Sequence, residues 1–314
     1  MPSSTPVLCE LAQSGLIRFS GEDAQSFLHN LLTCEVGVLD RSKSTYGGFC
    51  TPKGRLLASL LLWRSGADYI MQLPSPLRDA IQKKLSIFIL RSKVKASDAS
   101  NEWVKFGLAG GDAMPLVKQT FGQAPHTEHD VVDADGTTLI RLPGDRCEII
   151  VPRDQAPAVQ ETLSGSAKTA DPDYWDWLDI RAGIPSILPA TQEEFVPQMV
   201  NLDAIGGLSL TKGCYPGQEI VARMHYRGTL KQRMYLASTA PAEKPKPGDK
   251  LYSVEFGEQA CGTVVNAAHS PESGNDVLAV IQIASAERGD VRWKSPGGPA
   301  LKFLPLPYPV QLNQ

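Results

Sequence analysis

The chain has 314 residues, of which 42% are apolar and 21% charged, and its 31 Lys and Arg against 34 Asp and Glu leave a net charge of −3. That length suits two or three domains, each able to bury its own core. The balance excludes a broad, non-specific grip on nucleic acid; the longest apolar run, residues 56–63, falls far short of the roughly 20 needed to cross a bilayer. Six cysteines, at 9, 34, 50, 147, 214 and 261, form no C-x-x-C pair. Their scatter excludes a cysteine cage for a metal and fits reduced cytoplasmic thiols better than a disulfide scaffold. The first residues carry neither the basic nor the apolar segment of a secretory signal, so a cytoplasmic protein is expected.

Residues 16–19 read as a strand and residues 23–33 as an amphipathic helix, with Phe27, Leu28, Leu31 and Leu32 at helical spacing. Residues 46–50 and 55–64 read as strands joined by the turn Thr51-Pro52-Lys53-Gly54, and residues 69–73 as another strand. Leu77, Ile81, Leu85 and Phe88 form a helical stripe that packs into a core. Residues 94–96 and 104–108 suit strands, 115–121 and 154–163 helices, and 139–142 with 147–151 a hairpin around Pro143-Gly144-Asp145. Strands and helices in this mixed order indicate the α+β class. Residues 240–249 carry three prolines and a glycine and mark a linker. Beyond it, residues 250–253, 262–266, 277–283 and 300–304 are strand-like with no helical pattern, which predicts a small C-terminal β-barrel or sandwich.

The densest chemical signal is Lys212-Gly213-Cys214-Tyr215-Pro216-Gly217-Gln218-Glu219. Tyr-Pro-Gly-Gln fits a type II turn, with Pro at its second position and Gly at its third, and residues 219–224 then read as a helix. A thiol just ahead of a helix N-terminus and two residues from a lysine favours the thiolate. His225, eleven residues on, falls at the far end of that helix and reads as a surface histidine rather than a base for Cys214. Upstream, Tyr174, Trp175 and Trp177 offer rings that can stack on a flat heterocycle, with Trp175 and Trp177 on different helix faces. Residues 193–203 interleave polar side chains with Phe195 and Met199 and suit a pocket wall. Arg223, Arg227, Lys231 and Arg233 form a basic run open to a polyanion or to the glutamate tail of a cofactor.

The octapeptide, followed by Ile220-Val221-Ala222-Arg223 and Tyr226-Arg227-Gly228, resembles the signature of the YgfZ family of folate-binding proteins, relatives of the glycine-cleavage T-protein. Thr51-Pro52-Lys53-Gly54-Arg55, Arg181-Ala182-Gly183-Ile184-Pro185, Phe195-Val196-Pro197-Gln198-Met199, Asn201-Leu202-Asp203, Gly206-Gly207-Leu208-Ser209 and Leu304-Pro305-Leu306-Pro307-Tyr308 match as well, so the likeness spans the chain. It implies an α+β, three-domain, T-protein-like ring around a central folate site. Residues 1–239 would form the folate-binding region, its first part discontinuous, and residues 240–314 the C-terminal β-barrel. It also implies an accessory protein, expected to be monomeric, for assembly or repair of iron–sulfur enzymes such as tRNA methylthiotransferase. Cys214 would be the acting thiol with Lys212 beside it, and tetrahydrofolate or another reduced folate the cofactor. Trp175, Asn201, Tyr215, Gln218, Glu219, Arg223 and Arg227 are the expected folate contacts, and no metal ligands are expected. One departure counts against aminomethyl transfer: Ala58 and Ser59 stand where the T-protein carries an acidic pair. A transferase or demethylase would need another carboxylate, at Glu193, Glu194 or Asp203. Direct tRNA binding through the basic run is a further alternative.

Overall fold

The computed structural model describes residues 5–226, 228, 230–240 and 243–310. The chain forms two compact units, each assembled from separated stretches. The first comprises Met1–Leu28, Val36–Thr45 and Leu61–Trp175, and the second His29–Glu35, Tyr46–Leu60 and Asp176–Gln314.

In chain order the elements begin with β1 (Val7–Glu10), β2 (Ser14–Ser20), α1 (Ala24–His29), β3 (Ser44–Cys50), β4 (Leu56–Ser65), β5 (Asp68–Pro74) and α2 (Ser75–Ser86). Then come β6 (Lys95–Asp98), β7 (Trp103–Ala109), α3 (Ala113–Phe121), β8 (Val131–Ala134), β9 (Thr137–Leu142), β10 (Arg146–Pro152), α4 (Ala156–Ser164), β11 (Lys168–Thr169) and α5 (Pro172–Arg181). In the first unit, β11-β1-β7-β10-β9-β8 form one sheet. It is antiparallel except where β11 joins β1. One face, carrying Leu8, Phe106, Leu108, Cys147, Ile149 and Val151, packs against Leu116 and Val117 of α3 and Leu163 of α4. On the other face Cys9, Gly107 and Glu148 lie in one cross-strand row. The ring of Trp175 lies directly over Gly107, where a β-carbon would come within 2.4 Å of Cε3 and Cζ3. A second sheet runs β4 (from Leu61), β5, β2, β6. Leu77, Ile81 and Leu85 of α2 are buried there as the spacing requires.

The second unit holds the β3–β4 hairpin, α6 (Gln218–Tyr226), β12 (Gln232–Thr239), β13 (Lys250–Tyr252), β14 (Ala260–His269), β15 (Asn275–Gln282), α7 (Ile283–Arg288), β16 (Arg292–Trp293) and β17 (Lys302–Leu304). Its sheet has the order β16-β13-β14-β15-β12-β17. Both faces are apolar. Met234, Leu236, Leu278 and Val280 pack with Phe195, Leu202, Tyr215 and Val221, while Ala237, Val277 and Ala279 pack with Leu251, Val291, Trp293 and Leu301. The sheet takes β12 from before the proline-rich stretch, so its strands begin ahead of residue 240.

Three expectations are corrected. The helix expected over residues 23–33 stops at His29. Beyond it Leu32 bridges Phe49, and the Thr33 amide donates to Gly48 O at 2.9 Å, because strand pairing satisfies these groups where a further helical turn would not. Phe88, expected to close the buried stripe of α2, lies past the helix and is 44% exposed. The tail also contains the short helix α7, whose six residues are too few to show a helical period.

Replacing Gly107 by Ala drives a methyl group into the Trp175 ring. It is expected to lower unfolding free energy by about 2–3 kcal/mol, as overpacking does, measured by urea denaturation followed by tryptophan emission.

Candidate functional site: the Cys214 cleft

Two tight turns of the second unit meet backbone to backbone. In the β3–β4 turn, Gly54 N–H donates to Thr51 O (2.9 Å), Thr51 N–H to Arg55 O (2.8 Å), and Arg55 N–H to Thr51 Oγ1 (3.2 Å). In the second, Gln218 N–H donates to Tyr215 O at 3.1 Å and Gly217 has φ +81°, the type II geometry read from the sequence. A β-carbon on Gly217 would stand 2.5 Å from Gly54 Cα and Thr51 O. Glycine is therefore required twice over, by its φ and by the close approach. Helix α6 starts at Gln218, the last residue of this turn, and anchors itself with buried Val221.

Lys212 fixes the other side of the loop. Its ammonium is buried and donates to the carbonyls of His29, Leu32 (2.6 Å) and Cys34 (3.1 Å). Those three contacts match its three hydrogens. Its charge also faces the Tyr215 ring, 5.2 Å from the centroid. Burial pulls its pKa below the usual lysine value, against a smaller opposing pull from Cys34 and Glu35. Lys212 O accepts from Gln218 Nε2 at 3.2 Å, closing the loop on itself.

Between these supports Cys214 is exposed, while Cys9, Cys34, Cys50, Cys147 and Cys261 are all buried. Burial pushes the Cys34 and Cys50 thiols up to about 12 and also raises Cys147 and Cys261. Cys214 opens on a cleft of about 460 Å³ lined by Pro52, Tyr215, Gly217, Gln218, Glu219 and Ile220. In the sequence Pro52 reads only as turn punctuation. Its place beside the thiol follows from the meeting of the two turns.

The other expected site residues separate. Glu219 and Arg223 are exposed on α6. Tyr215 is buried, its hydroxyl without a hydrogen-bond partner among the described residues, and burial raises its pKa. Arg227 and the side chain of His225 lie outside the described residues. Asn201 is fully buried, with Nδ2 donating to Met234 O at 2.9 Å. Trp175, expected to stack on a heterocycle, is 4% exposed. Its ring lies against Gly107 and under the Arg146 guanidinium at 4.9 Å, so it serves the core of the first unit. Trp177 instead donates its indole N–H to Asp276 Oδ2 at 2.7 Å. Within the basic run, Arg233 is 4% exposed and grips Asp203 through two hydrogen bonds of 2.8 and 2.9 Å, so it is no part of a basic surface. The same pair engages Asp203. Glu194 lies 3.5 Å from Lys250, and Glu193 is exposed. At the positions of the acidic pair, Ala58 is buried and the Ser59 hydroxyl accepts from Ile187 N–H at 2.9 Å. Among the described residues no group of three or more His, Cys, Asp or Glu is placed to hold a metal ion, and no helix is long and apolar enough to cross a membrane.

The architecture is that of the glycine-cleavage T-protein. The aminomethyltransferase of the glycine cleavage system from Bartonella henselae superposes on 97% of this chain and 86% of its own with a TM-score of 0.76, at 17% sequence identity. No family model matches the sequence. Proteins named tRNA-modifying protein YgfZ do match it nearly end to end. The one from Sodalis glossinidius is 32% identical over 96% of this chain and 93% of its own, and that from Colwellia psychrerythraea 31% identical over the same shares. The chain belongs to the YgfZ family.

Native protein treated with iodoacetamide near neutral pH is expected to lose one thiol rapidly, at Cys214, and the other five only on unfolding, read by peptide mass spectrometry. Lys212→Met keeps the bulk but leaves three carbonyls without their donor. It is expected to cost about 2 kcal/mol of stability in urea denaturation.

Proposed function

We propose that this protein is a folate-binding accessory factor that supports assembly or repair of iron–sulfur enzymes, including enzymes that modify tRNA, through the thiol of Cys214. The observation that carries the reading is that the only exposed cysteine of the six sits in a cleft and on a loop made rigid by Lys212 and by two apposed glycine turns. A thiolate is both a metal ligand and a sulfur nucleophile. One thiol cannot house a cluster, which takes four ligands, so iron or sulfur would pass through Cys214 as cargo. Lys212 acts on this chemistry as a positioning residue, because its hydrogens are engaged with the main chain.

Reduced folate is the proposed cofactor. A cleft of about 460 Å³ falls within the range of small-molecule sites. Tyr215 and Gln218, which line the cleft, and the exposed Glu219 and Arg223 of α6 suit a polar heterocycle with an anionic tail. Tyr215, Gln218, Glu219 and Arg223 would hold it; Trp175 and Asn201 are engaged elsewhere. Bound folate would supply a one-carbon carrier. This reading includes the three-domain ring around a central folate site, residues 1–239 as the folate-binding region with 240–314 as the closing β-domain, and a monomer in the cytoplasm. Aminomethyl transfer is disfavoured because Ala58 and Ser59 offer no carboxylate and Asp203 is held by Arg233.

Calorimetric titration with tetrahydrofolate is expected to show saturable binding, weakened at least tenfold by Arg223→Ala; a flat titration removes the cofactor from the reading. Cys214→Ala is expected to fold normally yet fail to restore tRNA methylthiolation in a strain lacking this protein. Full restoration removes the thiol.

A further inference from the structure

The three carbonyls that Lys212 gathers belong to His29, Leu32 and Cys34, so residues 29–35 curl around its ammonium. The curl brings Glu35 back onto His29. Glu35 Oε1 stands 3.2 Å from His29 Nδ1, and both side chains keep contact with water, at 22% exposure for His29 and 35% for Glu35. A carboxylate at Nδ1 selects the tautomer with its proton on that nitrogen, which makes Nε2 the acceptor. Nε2 lies against the thiol loop. A β-carbon built on Gly213 would stand 3.8 Å from it, with no other atom within 4 Å outside the adjoining residues. Gly213 has no side chain to fill this gap, and both it and Cys214 are exposed. The imidazole therefore sits one residue from the thiol, across a solvent-open gap that a water or a change of rotamer can span.

The other titratable groups around the loop are unsuited to take the thiol proton. The hydrogens of Lys212 are engaged with the main chain. Tyr215 is buried, and burial makes its phenol harder to ionise. Cys34 is buried too, and desolvation pushes its thiol up to about 12, so it stays neutral. Glu219 lines the cleft, but an exposed carboxylate is a far weaker base than a thiolate. The charges that face the His29 ring are Glu35 at Nδ1 and the Lys212 ammonium at its main-chain carbonyl. Glu35 offsets the Lys212 charge, so an imidazolium is tolerated between them. Among the described residues no three His, Cys, Asp or Glu are placed to hold a metal ion, which leaves the pair to serve a proton. A nucleophile, a base beside it and a third group orienting that base form the arrangement that activates thiols.

We infer that His29, oriented by Glu35, is the proton acceptor for Cys214. The S–H bond of Cys214 breaks, its electron pair stays on sulfur, and the proton forms a bond with His29 Nε2. A thiolate and an imidazolium result, with the Glu35 carboxylate behind the ring. Glu35 touches no reacting atom and is a positioning residue. All three residues belong to the second unit. The inference deepens the reading of Cys214 as the acting thiol and rests on it, and it adds that the thiol acts as a nucleophile made ready by its own base.

The test follows iodoacetamide alkylation of Cys214 in the full chain across a pH series, read by peptide mass spectrometry, with thiolate absorbance in the ultraviolet measured against Cys214→Ala. His29→Gln keeps the carbonyl that Lys212 holds, so Tm is expected to stay near the wild-type value. Near neutral pH its alkylation is expected to slow about tenfold and its thiolate absorbance to fall, while in alkaline solution, where the thiol ionises unaided, its rate matches wild type. Glu35→Gln is expected to shift the profile severalfold in the same direction, and it carries the test if His29→Gln fails to fold. A His29→Gln profile that superimposes on wild type overturns the inference. So does a slowing of equal size at every pH, which altered access to the loop would give. An unchanged Glu35→Gln profile removes Glu35 from it. Alkylation needs neither folate nor a client enzyme, so this result is distinct from the fate of the accessory role. A shifted profile with tRNA methylthiolation restored by Cys214→Ala would keep the proton acceptor and remove the role, and an unshifted profile with methylthiolation lost would do the reverse.

Discussion

A buried ammonium surrounded by three main-chain carbonyls organises the second unit. Residues 29–35 are too irregular to satisfy their own carbonyls, and Lys212 satisfies three of them at once. An unpaired buried cation is expensive, and so are unpaired carbonyls; each removes the other's cost. Because the residue that closes this exchange stands two positions before Cys214, the loop that carries the thiol cannot move without exposing all four groups. Tyr215 lies against the same ammonium, so the residue after the cysteine is fixed by the same charge.

The opposing constraint is steric. Gly54 and Gly217 bring two turns closer than any side chain permits, and this contact sets Pro52 beside the thiol. Electrostatic capture on one side and backbone contact on the other leave Cys214 at the surface while Lys212 and Tyr215 are buried. Selectivity among six chemically identical thiols thus arises from burial. Five are withdrawn from solvent, and desolvation raises the pKa of four of these.

Much of this was legible in the chain. The type II turn, the start of α6, the strands around the Thr51–Gly54 turn and the helical stripe of α2 all follow from local rules: the φ that proline sets, the φ that only glycine tolerates, and apolar spacing. The family likeness was legible as well, because it resides in contiguous motifs. The failures have one kind of cause. Trp175 and Arg233 look like ligand-facing groups in sequence, yet each is captured by a distant partner, Trp175 by Gly107 and Arg146 and Arg233 by Asp203. Phe88 continues a periodic stripe, yet the helix ends two residues earlier and the side chain stays partly exposed.

The sequence by itself determined the turns, the periods and the motif around Cys214, since these depend on dihedral preferences and spacing within a few residues. The tertiary structure alone decided which cysteine meets solvent, that Lys212 holds the main chain rather than the thiol, and which apolar and cationic groups remain outside. Those outcomes depend on contacts between residues as far apart as His29 and Lys212 or Asp203 and Arg233, and burial is a property of the assembled chain rather than of any stretch of it.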